Sequence, residues 1–132
     1  MLAATLAVLA PSPGARADDP PRAASAKMTC ERIAQPGRVR CEVEAVAEAG
    51  TQIRWGDVAI VSVPPFAAAL KGRIGPREAT SREDATWRWA LALVAKDRGV
   101  GDVRAHVRVT LCQKDRCEPR VLEVTARLQV GD

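Results

Sequence analysis

From Val103 to Leu111 every second residue is apolar: Val103, Ala105, Val107, Val109 and Leu111 alternate with Arg104, His106, Arg108 and Thr110. A two-residue period is the repeat of a β-strand with one buried and one wet face. A helix cannot satisfy it, because it brings residues i, i+3 and i+4 to one side. The same alternation recurs along most of the chain. Val39, Cys41, Val43 and Ala45 alternate with Arg38, Arg40, Glu42 and Glu44. Trp87, Trp89, Leu91 and Leu93 alternate with Arg88, Ala90, Ala92 and Val94, and the small apolar residues of the second set predict a central strand covered on both sides. Leu122, Val124, Ala126, Leu128 and Val130 alternate with Glu123, Thr125, Arg127 and Gln129.

Turn signals separate these runs. Met28–Ile33 reads as a strand joined to the next by Ala34-Gln35-Pro36-Gly37, a hairpin turn. Ile53–Val63 is rich in β-branched residues, reads as one strand or two short ones, and stops at Pro64-Pro65. Between Phe66 and Arg82 the period is lost. Phe66–Lys71 suits a helical turn, and Gly72, Gly75 and Pro76 break it, which predicts a long excursion at one end of the domain. Asp97–Asp102 reads as a turn closing a hairpin into the Val103 strand. Six to eight strands without a long helix predict an all-β fold, an antiparallel immunoglobulin-like β-sandwich, with a small β-barrel as the alternative.

The first ten residues are an apolar run too short to span a bilayer, followed by Ala15-Arg16-Ala17, a small-x-small cleavage signal. This predicts a signal peptide over residues 1–17. Asp18–Ala26 is polar and contains prolines, which predicts a flexible leader, with the β-sandwich domain over 27–132. No later apolar run is long enough to cross a membrane, so the mature chain is expected to be periplasmic or secreted, without a membrane span. No block of like charge marks a nucleic-acid or membrane site. Of 20 basic residues only Arg16 falls in the removed segment, against 16 acidic ones, and the two signs are interleaved. With one Phe and no Tyr, neither a basic stripe nor a stacking platform for nucleic acid is present.

Chemistry is left to four cysteines. Cys30 and Cys41 flank the Pro36-Gly37 turn closely enough to face each other across a hairpin, which predicts a structural disulfide. By chain entropy such a ring contributes about 3 kcal/mol. Cys112 and Cys117 enclose only Gln113-Lys114-Asp115-Arg116, a ring worth about 2 kcal/mol, so stabilisation accounts for it less well. Lys114 and Arg116 favour a thiolate there and Asp115 opposes one. Cys112 also falls off the core-facing parity, which predicts an accessible sulfur. Thiolate character and access are the requirements of thiol exchange. Spacings of ten and four residues do not fit a zinc ribbon, and no metal site is expected. His106 has no acid beside it in sequence. Gly99-Val100-Gly101 leads into a strand rather than a helix, so no cofactor is implied.

The stretch Val107–Pro119, an alternating strand running into Cys112, then Cys117, then Pro119, resembles the active loop of the N-terminal periplasmic domain of the DsbD-type thiol:disulfide interchange family. That domain is an immunoglobulin-like module. The resemblance covers the last third of the chain. It implies that Cys112 and Cys117 form a redox pair exchanging with a thioredoxin-like protein or a membrane thiol reductase. In that family a loop carrying a Phe shields the disulfide, and Phe66 is the chain's one Phe. Two functions are therefore expected. The first is an exported non-catalytic β-sandwich accessory or binding domain with two disulfides. The alternative is a DsbD-like interchange module using Cys112 and Cys117.

Overall fold

The alternating runs become the inner faces of two antiparallel sheets in the computed structural model, which describes residues 23–132. The expected signal peptide and the first part of the expected leader lie outside these residues. The strands are β1 (Ala24–Cys30), β2 (Gly37–Ala47), β3 (Gln52–Ser62), β4 (Ala67–Ala69), β5 (Arg73–Ile74), β6 (Ser81–Arg82), β7 (Thr86–Ala95), β8 (Gly99–Gln113) and β9 (Arg116–Val130). One sheet has the order β1-β2-β7-β4 with β6 also paired to β7, and the other has the order β5-β3-β8-β9. β1, β2, β7 and the short edge β4 in one sheet, against β3, β8 and β9 in the other, are the arrangement of a constant-type immunoglobulin sandwich.

Between the sheets lies one core. Trp89, Leu93 and Leu128 are its largest fully buried side chains, and Val39, Val43, Val103, Val107 and Val109 are sealed with them. The indoles of Trp87 and Trp89 lie 5.8 Å apart on the inner face of β7. β3 passes directly beneath them at Gly56, where a Cβ would lie 2.9 Å from the Trp89 ring. Only glycine allows that approach. The buried Trp89 indole N–H donates to the carbonyl of Gly75 at 3.3 Å, which ties the irregular segment to the core.

Several local expectations are corrected. β1 begins at Ala24, inside the expected leader, because Ala24–Ala26 continue the ladder opposite Ala45–Ala47. It ends at Cys30, and Ile33 instead forms a parallel bridge to Val130. The segment after Phe66 makes strand β4 against Ala95–Leu93 rather than a helical turn. The outer face of β7 is not covered, since Arg88 and Ala92 are exposed. β7 and β8 do not form a hairpin, because they belong to different sheets. The chain crosses over at Lys96–Arg98, held by the Lys96 N–H on the Phe66 carbonyl at 2.7 Å. Beyond the crossing, Gly99 and Gly101 run under Phe66 and Pro64, where a Cβ would come within 2.7 Å of either ring.

Candidate functional site

The β8–β9 hairpin keeps one register from Gly99 opposite Val130 to Gln113 opposite Arg116. Its turn is Lys114-Asp115, with Lys114 in the left-handed region at φ 52°. For a residue with a side chain that conformation costs about 1 kcal/mol, and something must hold it. The bridge does so: Cys112 stands directly opposite Cys117, bonded to it, with Cα atoms 4.0 Å apart. Gln113 adds a second tether, donating to the hydroxyl of buried Thr51 at 2.7 Å. Cys30 likewise faces and bonds Cys41 at the end of β1–β2, with a Cα separation of 3.9 Å.

The two sulfurs of the β8–β9 bridge differ in access. Cys117 is exposed together with Lys114, Asp115 and Arg116, whereas Cys112 is only 3% exposed. Strand parity leads one to expect an open Cys112. It is covered because β3 extends beside it, placing Gln52 opposite Cys112. A cleft of about 210 Å³ opens next to the hairpin, lined by Thr51, Leu111, Gln113, Arg116, Glu118 and Arg120. Phe66 is not near this bridge. It packs on Gly99, at the opposite end of β8 and roughly 40 Å along the strand from Cys112.

The outward face of the same sheet holds a second cluster that the sequence did not reveal. Asp57 on β3 is fully buried although it points away from the core, because two arginines cover it. Arg108, opposite Asp57 in register, donates from Nε to Oδ1 at 2.8 Å and from Nη2 to Oδ2. Arg73 on β5 donates from Nε to Oδ2 at 2.5 Å. Trp55 lies 6.0 Å from the Arg108 guanidinium, ring against cation. Burial pushes the Asp57 carboxyl up, but the hydrogen bonds and charges of Arg108 and Arg73 outweigh burial and hold it below the ordinary carboxylate value. The one signal in the sequence is a lone acid, Asp57, inside the stretch 55–61, which has no other charge. Arg108 is therefore half-buried rather than exposed, and so is Glu44, which Arg88 holds at 2.8 Å and Lys27 at 3.6 Å.

His106 acquires an acid from the neighbouring strand, with Nε2 3.3 Å from Glu123 Oε1. A larger cleft, about 510 Å³, lies on the outer face of the other sheet and includes Lys27, Glu42, Glu44, Thr80, Ser81 and Arg88 in its walls. Among the described residues no three His, Cys, Asp or Glu side chains gather as metal ligands, and no helix is long and apolar enough to cross a membrane.

No family model matches the chain, and no curated protein matches it. Among solved structures it is similar to BslA, a bacterial hydrophobin, at 6% identity and a TM-score of 0.40 over 82% of this chain and 96% of that one. It is also similar to a PapD-like domain of human CEP192, at 8% identity and 0.36 over the full length of both. A third is AggA, the major subunit of an Escherichia coli aggregative adherence fimbria, at 13% identity and 0.35 over 81% of this chain and 95% of that one. The chain is an antiparallel immunoglobulin-like β-sandwich with two disulfides, each closing a hairpin.

Proposed function

We propose that this chain is an exported, non-catalytic β-sandwich domain that binds a partner, and that both disulfides are structural staples. The observation that carries this reading is the burial of Cys112 inside a continuous ladder. Attack at the exposed Cys117 would release Cys112 as a thiolate, and Cys112 is covered, a setting that disfavours the charge. Two intramolecular bridges in a domain of this size suit an oxidising compartment, the periplasm or the exterior. On the outward face of β3-β8-β9, Val61 and Val121 are more than half exposed.

A second reading is favoured by one specific feature. Cys117 is exposed beside Arg116, with Lys114 nearby, so a partner thiolate has a route to that sulfur, although Asp115 and Glu118 offset the positive charge. This is the DsbD-like interchange module, with a thioredoxin-like protein or a membrane thiol reductase as partner. A titration in glutathione or dithiothreitol buffer, read by alkylation and mass, separates the two. The binding-domain reading expects both bridges to open together, and only as the domain unfolds. Selective opening of Cys112–Cys117 in the folded domain would overturn it in favour of interchange.

A further inference from the structure

Asp57 is neutralised more than once. Arg108 alone grips both carboxylate oxygens, so the charge is balanced without Arg73. Arg73 nevertheless joins on Oδ2, which brings two guanidinium groups within about 5 Å of each other around a single anion. One positive charge is left over. A guanidinium offers five N–H donors. Arg73 uses only Nε and Arg108 uses Nε and one N–H of Nη2, and among the described residues neither has another acceptor. Both remain open to solvent, with side chains 59% and 43% exposed.

Stability does not call for this arrangement. An outward-facing strand position takes Thr or Val at no cost in buried charge, and a buried ion cluster is often no more stabilising than apolar residues of similar size. What the cluster does provide is rigidity. A surface arginine normally loses rotamer freedom when it binds, but these two are already fixed by Asp57, so that loss is largely avoided. Apolar surface flanks the pair. Val121 stands opposite Arg108 in register and is 60% exposed, and the Trp55 ring lies against the Arg108 guanidinium.

We propose that the Asp57-held pair of Arg73 and Arg108 is a binding site for an oxyanion, a carboxylate or phosphoryl group, whose oxygens take the free guanidinium donors while Val121 and Trp55 pack beside it. The proposal deepens the binding-domain reading by naming the chemistry of the partner. It does not depend on the redox titration, whose failure would leave this site untouched.

The test follows the arginine Nε–H resonances by ¹H–¹⁵N spectroscopy at fixed ionic strength. One arm titrates inorganic phosphate, and the other an uncharged-end peptide, acetyl-Gly-Glu-Gly-amide. Saturable shifts are expected at Arg73 and Arg108 with the other arginines unmoved, and the arm that saturates at lower concentration identifies the phosphoryl or the carboxylate source. Arg73→Lys keeps the charge but loses the planar fork and is expected to weaken binding about tenfold. Val121→Glu, at an exposed position that needs no refolding, places an internal carboxylate opposite Arg108 and is expected to weaken it similarly. Uniform, non-saturating shifts at all arginines would overturn the proposal. So would unchanged binding by Val121→Glu, whether or not Arg73→Lys folds.

Discussion

Replacing Asp57 by Asn tests whether the ion cluster stabilises the sandwich, and the expected cost follows from its geometry. Three N–H···O bonds end on the carboxylate. Bonds to charged groups are worth about 1.5–3 kcal/mol each when deeply buried. That sum does not apply, because the arginines are 43% and 59% exposed and recover water when released. The variant also no longer bears the cost of a buried anion, so a loss of about 2 kcal/mol is expected, or a Tm lower by roughly 8–10 °C for a domain of this size. The pH dependence is the sharper signature. The Asp57 carboxyl is held below its ordinary value of 3.8 in the folded protein. Its contribution is therefore complete above the unfolded value and is lost as pH falls through the folded one. Urea unfolding followed by tryptophan fluorescence at pH 7, 5, 4, 3 and 2 should give wild-type and Asp57→Asn curves that are separate at neutral pH and converge in acid. A gap that persists unchanged to pH 2, or no gap at pH 7, would refute the electrostatic account. Arg108→Asp should be worse than Asp57→Asn, since it sets a second carboxylate beside a buried one.

Other variants probe the rest of the frame. Val107 is fully buried, so Val107→Asp should unfold the domain or cost more than about 4 kcal/mol, visible as lost cooperativity in thermal melts. Gly56→Ala forces a methyl against the buried Trp89 ring and should cost about 1–3 kcal/mol by chemical denaturation, with a changed tryptophan spectrum. The Cys112→Ser/Cys117→Ser pair should stay folded and lose about 2 kcal/mol, less than the roughly 3 kcal/mol expected for Cys30→Ser/Cys41→Ser; urea midpoints give the order.

The inner faces were legible because burial of one sheet face imposes a period of two. Val39, Val43, Trp89, Leu91, Val107, Val109, Val124 and Leu128 all lie in the core. The cysteine partners were legible because each pair brackets one tight turn. What the pattern could not carry was anything decided across the sheets. The link from β7 to β8 looks like a hairpin turn in sequence, yet it crosses between layers, and the reason lies in Pro64 and Phe66 packing onto Gly99 and Gly101 some 35 residues away. Asp57 meets Arg108 from 51 positions off and Arg73 from 16, so no local signal announces the cluster. Cys112 fails for the same reason, since its cover comes from the start of β3.

The two disulfides also show which property could make one of them functional. Each joins residues directly opposite in an antiparallel ladder, and the Cα separations, 3.9 and 4.0 Å, are nearly the same. Their backbone placement therefore gives no reason for one to open before the other. The differences lie around them. Cys41 is fully buried and Cys30 half-buried, in the ladder between β1 and β2, while Cys117 is open at a turn whose Lys114 sits in an unfavourable conformation. Opening the second bridge would release that turn and shed a ring of only about 2 kcal/mol, with Lys114 and Arg116 favouring a thiolate and Asp115 opposing it. Against this stands the cover over Cys112, which requires β3 to withdraw at Gln52 before both sulfurs are free. The balance between an exposed half and a buried half is thus set by the first residues of β3, not by the cysteine loop in which the chemistry would take place.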